Sequence, residues 1–232
     1  MDESGDGRQA DFPGTLAGLA RALKEGKVSP VEATEAVLGR IEERDAELNS
    51  FVTVVPERAM EAARTAEREI RSGRYRGPLH GVPLGVKDLI FTAGLRTTMG
   101  SAFFEDHVPD HDAAVVRKLE EAGAIIVGKT NTHEFAYGTT GDRSRFGPVG
   151  NPHDPSRISG GSSSGSGAAV AAGLVYGALG TDTGGSIRIP AALCGAVGMK
   201  PTFGRVSKHG VFPLAWTLDH VGPITRTVED NA

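Results

Sequence analysis

The feature that most restricts this chain is a glycine- and serine-rich tract, "ISGGSSSGSGAAVAAG" at residues 158–173, which runs without a polar break into "LVYGALG". Flexible Gly/Ser linkers join domains and are flanked by polar sequence. Small apolar residues follow this one directly, so the tract belongs inside a core. Glycines there allow backbones to approach closely. The hydroxyls of Ser162, Ser163, Ser164 and Ser166 then need partners, because buried polar groups are hydrogen-bonded. Glycine usage agrees with a tightly packed interior: the chain has 32 glycines in 232 residues, roughly twice the average share.

The flanking segments predict an α/β layered core. "VPLGVKDLIF", "AIIVG" and "LVYGALGTDT" read as strands. "DAAVVRKLEEAG" reads as a helix capped by Asp112 and stopped by Gly123. "GSGAAVAAG" reads as a short, closely packed helix, and "SIRIPAALCG" opens another. Residues 13–76 read as a helical region. Leu16, Leu19, Ala20 and Leu23 have helical spacing. "SPVE" at 29–32 is a capping box with proline in the first turn, and Thr34, Val37, Leu38 and Ile41 mark the buried face behind it. A third helix spans 56–71, with Met60, Ala63, Glu67 and Ile70 along one side. Residues 1–12 are acidic and polar and read as a disordered terminus. Residues 77–232 read as the catalytic core. "TRTVEDNA" resembles a first helical turn capped by Thr227, which carries the expectation that the C-terminal part of a larger fold is missing.

Composition removes several classes. The formal net charge is −4 and no long basic run occurs, which argues against direct nucleic-acid binding. The single cysteine, Cys194, rules out an internal disulfide and fits a reducing cytoplasm. Set among small apolar residues, it reads as a buried, inert thiol. No stretch approaches the ~18 apolar residues of a membrane span, and the acidic start is no secretory signal. The seven histidines show no ligand spacing, so no metal is expected.

Two pattern matches fail on physical grounds. "GAIIVGKT" at 123–130 satisfies G-x-x-x-x-G-K-[ST], but a phosphate cradle needs a loop of inward N–H groups, and Ala124, Ile125, Ile126 and Val127 make a strand. "GSSSG" at 161–165 satisfies G-x-S-x-G with Ser163 as nucleophile, the α/β-hydrolase elbow, with Asp182 and His209 following in the required order. That elbow follows a strand directly, and "NPHDPSRISG" reads as polar loop, so Ser163 stays a remote alternative.

A second stretch, "GTDTGGSIRIPA", places Thr183, Gly184 and Gly185 ahead of Ser186 at a strand-to-helix turn. Glycines there let successive N–H groups point at one spot, as in an oxyanion hole; a plain structural turn is the alternative. A third, "GVPLGVKDLI", sets Lys87 among Val86, Leu89 and Ile90. Burial disfavours the ammonium form, and a neutral amine serves as a general base; pairing with Asp88 is the alternative.

The order Lys87, "GGSSSGS", "TDTGGSIR" resembles the amidase signature family. The resemblance extends from about Gly77 through "HDAAVVRKLEEAGAIIVGKTN", "GTDTGGSIRIPAALCGAVGMKPTFGRVS" and "LDHVGPITRTVED". It implies a layered α/β fold, a mixed β-sheet flanked by helices. It implies a catalytic Lys87, a Ser162 preceded by a cis peptide, and Ser186 as nucleophile, with Ser163, Ser164 and Ser166 as local hydrogen-bonders. Backbone N–H groups of Thr183, Gly184, Gly185 and Ser186 become the oxyanion hole. Asp182 becomes a supporting residue, and Arg188 either structural or substrate-facing. The implied reaction is hydrolysis of a small-molecule amide through an acyl-enzyme, with no organic cofactor. The family also contains the glutaminase component of the tRNA-dependent amidotransferase, which passes ammonia to partner subunits. Ile189 stands where that component is expected to carry glutamine, which favours the free amidase. An inactive fragment, or a homodimer, remains compatible with the resemblance.

Overall fold

The structure, a computed structural model, describes residues 12–232. The expected disordered terminus at 1–12 lies outside the described residues apart from Phe12. Chain order is α1 (Leu16–Lys24), α2 (Pro30–Leu48), β1 (Phe51–Val54), α3 (Pro56–Arg71), β2 (Pro83–Lys87), α4 (Ala114–Glu121), β3 (Ile125–Thr130), β4 (Gly150–Asn151), β5 (Asp154–Ile158), α5 (Ser164–Ala171), β6 (Gly177–Asp182), α6 (Arg188–Cys194), β7 (Val197–Gly198), β8 (His220–Thr225) and α7 (Val228–Asn231).

Six strands form one mixed sheet in the order β1-β3-β2-β6-β8-β7. The centre, β3-β2-β6, is parallel, and β1, β8 and β7 pair antiparallel around it. This is the layered α/β core that the alternating segments predict, with the mixed sheet that the family resemblance implies. The central strands are buried along nearly their whole length, as strands covered on both faces must be.

Local signals account for the helices. Ser29 and Glu32 make a reciprocal capping box on α2, Thr15 caps α1, and Thr227 caps α7. The structure departs from expectation in three helical details. Asp112 does not cap α4: its Oδ1 accepts from Ala93 N at 2.7 Å, and Ala113 takes the cap position with no side-chain bond. The buried face of α3 is Ala59, Ala63 and Ala66, rotated from the larger residues because small side chains let α3 lie close to the sheet. The region 13–76 is not wholly helical, since Phe51–Val54 forms edge strand β1 against β3.

α5 carries the Gly/Ser tract into the core, with Ser164 through Val170 all buried. A Cβ on Gly165 would overlap Ser50 O and Asn131 N, and one on Gly167 would press on Pro190 of α6. Ser166 Oγ meets Thr130 Oγ1 at 2.7 Å and donates to Leu179 O at 2.9 Å. The tract is thus fastened to β3 and β6. No helix among the described residues is long and apolar enough to cross a membrane.

Candidate active site

The carboxyl ends of the parallel strands converge where ligands bind in open α/β sheets. β2 ends at Lys87, β3 at Thr130 and β6 at Asp182. Lys87 is fully buried. Its Nζ contacts Ser162 Oγ at 2.7 Å, Thr181 Oγ1 at 2.8 Å and Ser163 Oγ at 3.0 Å. Burial pushes its pKa well below that of an ordinary lysine, and the carboxylates of Asp182 and Asp219 oppose that shift only in part. Asp88, the alternative partner, turns to Thr98 instead.

Ser162 follows a cis peptide at Gly161–Ser162. Its carbonyl accepts from His133 N and Thr132 Oγ1, both at 3.0 Å, so the loop after β3 fixes its backbone. Ser163 Oγ donates to Thr181 O at 3.2 Å and accepts from Thr181 N at 3.2 Å. Ser163 is buried in this network, and His209 lies exposed against the His111 ring. The elbow alternative therefore lacks its triad. One premise used against it needs correction, because a strand, β5, does precede the tract. That strand pairs only with β4 in a separate two-stranded sheet, so it aims nothing at the main sheet's edge.

Ser186 lies in the turn between β6 and α6. Its carbonyl accepts from Ser163 N at 3.2 Å, which seats it against the tract. It retains 6% exposure where Lys87 and Ser162 have none. Among the described residues no hydrogen bond engages its Oγ, so Lys87 and Ser162 are joined directly while Ser186 adjoins them through backbone.

Asp182, fully buried, organises that turn. Oδ1 accepts from Gly185 N at 2.8 Å, and Oδ2 from Ile187 N at 3.2 Å. Arg188 closes a bidentate pair at 3.0 and 2.9 Å. Burial works to raise the Asp182 pKa, but the guanidinium and backbone donors outweigh it and hold the carboxyl below the usual range. Gly185 N–H is engaged by Asp182, which removes it from the expected set of four oxyanion donors. Gly185 also adopts φ +134 and packs under Ile189, a position for glycine alone.

Sequence reasoning missed Thr181 and the direct Ser163–Lys87 bond. A hydroxyl directly after the small and apolar start of β6 was the only local signal for Thr181. It also missed a second fully buried lysine, Lys129, whose Nζ donates to Ile90 O, Thr92 Oγ1 and Thr97 Oγ1. Burial pushes this amine down to about 8 against the pull of Asp88. Cys194 is fully buried and its thiol pushed up to about 12 by burial, the inert residue expected. A narrow cleft beside Thr181 and Thr183 is walled by Ala136, Phe212, Trp216 and His220. Among the described residues no cluster of three or more metal-ligating side chains occurs.

Fold and site together describe an α/β protein with a buried lysine–serine cluster at the strand ends. The chain belongs to the Amidase family, which it matches over residues 32–232. It is 52% identical over 221 residues to the A-type subunit of the glutamyl-tRNA(Gln) amidotransferase of Geobacter sp. (strain M21), covering 95% of this chain and 45% of that protein. A crystal structure of an amidase superposes with a TM-score of 0.88 at 46% identity, covering 94% of this chain and 50% of the other. The peptide amidase of Stenotrophomonas maltophilia superposes with a TM-score of 0.90 at 42% identity, over 94% and 46%. The chain thus spans about half the length of the relatives it matches.

Proposed function

We propose that this chain carries the core of an amide hydrolase in which Lys87, Ser162 and Ser186 relay protons. The observation that supports it is the fully buried Lys87 amine 2.7 Å from Ser162 Oγ. A neutral amine has two N–H donors and one lone pair. Ser163 commits its hydroxyl proton to Thr181 O, so it accepts from Nζ, and Thr181 Oγ1 accepts the second N–H. The lone pair then faces Ser162, which donates to it.

Ser162 passes its proton to Lys87 and takes one from Ser186. Ser186 Oγ attacks the amide carbonyl carbon, and the C=O π pair moves to oxygen. N–H groups of Thr183, Gly184 and Ser186 donate to that oxyanion; losing one such donor costs on the order of 10²–10³ in rate. Collapse breaks the C–N bond. The leaving amine or ammonia takes its proton back through Ser162, and water then attacks the acyl-enzyme by the same route. The Asp182–Arg188 pair holds the turn while this happens. No metal or organic cofactor enters the scheme.

Ile189, packed over Gly160 and Gly185, puts an apolar side chain beside the turn and favours a free amidase acting on a small amide. A second reading, the glutaminase component of an amidotransferase working with partner subunits, is supported by the 52% identity to such a component. A fluorophosphonate probe tests the core proposal. A covalent adduct on Ser186, located by peptide mass, supports it, and an unmodified Ser186 overturns it. Ammonia release from glutamine only when the amidotransferase partner subunits are added would select the second reading.

A further inference from the structure

Asp219 stands one residue before β8, 36 positions from Thr183, yet its Oδ1 accepts from Thr183 Oγ1 at 2.6 Å. The same carboxylate takes Leu214 N at 2.9 Å and Ala215 N at 3.0 and 2.9 Å. Leu218 N and Asp219 N both bond Ala215 O, and Lys208 Nζ donates to Trp216 O. The 214–219 loop is therefore a closed unit, presenting exposed Trp216 and Leu218, and one carboxylate fastens it to the turn that bears Ser186.

That turn is held from two sides. Asp182 grips it from within through Gly185, Ile187 and Arg188. Asp219 grips it from outside through Thr183. Between the two grips lies Gly184, exposed and with open space where a side chain would sit. Closing the 214–219 loop needs only the Leu214 and Ala215 bonds; the bond to Thr183 adds nothing to it. A charge-assisted hydrogen bond this short is roughly twice as strong as a neutral one.

We propose that Asp219 is a positioning residue for the reaction, holding Thr183 and the donor turn in place and tying that turn to the seating of the 214–218 loop. The inference rests on the amide-hydrolase reading above. It carries an electrostatic corollary. The Asp182 carboxylate at the end of β6 and the Asp219 carboxylate ahead of β8 both favour the Lys87 ammonium, and the amine in turn disfavours charge on His133 in the loop after β3. Removing the Asp219 charge makes the Lys87 ammonium harder to form, so the acid limb of the reaction moves to lower pH.

The test uses the full 232-residue chain and measures the rate of Ser186 modification by a fluorophosphonate across pH. Asp219→Asn and Thr183→Val each slow modification roughly 10- to 100-fold, the scale of a misplaced catalytic group. The double variant is no slower than the slower single one, and Asp219→Asn shifts the acid midpoint downward. Wild-type rates in both single variants overturn the inference. So do additive effects, or a slowed Asp219→Asn with the wild-type midpoint. Should Asp219→Asn lose its cooperative melt, Thr183→Val decides alone, since it deletes one hydroxyl; a wild-type rate there overturns the inference. If wild-type Ser186 is never modified, the hydrolase reading itself falls and takes this inference with it.

Discussion

Lys87 Nζ and Ser162 Oγ lie 2.7 Å apart across 75 positions of sequence, both fully buried. The contact exists because β2 ends at Lys87 beside the tract that leads into α5, whose glycines let it lie against the sheet. Ser163 and Thr181 complete the shell around the amine.

Substitutions in this cluster have graded outcomes. Ser186→Ala eliminates the fluorophosphonate adduct and any amide turnover. Ser162→Ala and Lys87→Met leave Ser186 in place but remove the proposed relay, which slows modification by about 10²–10⁴, the scale of lost general acid–base catalysis. Time-resolved intact-mass measurement checks all three. A Lys87→Met rate equal to wild type would remove the amine from the mechanism.

The pH profile follows from the direction of the Lys87 shift. Burial lowers its pKa well below the ordinary value, so the amine is neutral above that lowered pKa and protonated below it. Only the neutral form accepts a proton from Ser162. The rate of Ser186 modification is therefore full at higher pH and falls as pH drops through the lowered pKa. In Lys87→Met the residual rate lacks that limb.

Asp182→Asn breaks the bidentate contact with Arg188 and weakens acceptance from Gly185 and Ile187. The expected result is an approximately 10²-fold slower modification of Ser186 with a cooperative melt retained. Arg188→Lys, which keeps the charge but loses the fork, falls between Asp182→Asn and wild type in the same assay.

Lys129→Met separates stability from chemistry. The change strips Ile90 O, Thr92 Oγ1 and Thr97 Oγ1 of a shared donor and removes a charge that favours the ionised Asp88 carboxylate. Leaving a buried acceptor unpaired costs about 1–3 kcal/mol. The urea midpoint falls accordingly, while the pH midpoint of Ser186 modification in the folded variant stays at the wild-type value.

Two glycine substitutions move in opposite directions. Gly165→Ala places a methyl against the backbone of Ser50 and Asn131 and destabilises by about 1–3 kcal/mol or more. Gly39→Ala fills open space inside α2 and stabilises by up to ~1 kcal/mol, the helix-propensity gain. Thermal melts of the two proteins distinguish them.

The features legible before folding are local. The capping box at Ser29, the apolar run at β2, the β-branched run at β3, and the small-residue helix α5 each rest on signals within a few positions, and the structure forms them where those signals lie. The α/β class and the family resemblance followed from the order of such segments. Tertiary structure decided what depends on distant partners. Phe51–Val54 became a strand because β3 offered it an open edge, and Asp112 left α4 because Ala93 N needed an acceptor. Gly185 lost its place among the donors because Asp182 folded back on it. Thr181, Lys129 and Asp219 gained their roles only when strands and loops far apart in sequence met. Periodicity and caps are properties of neighbouring residues, whereas desolvation and hydrogen-bond completion belong to the assembled core.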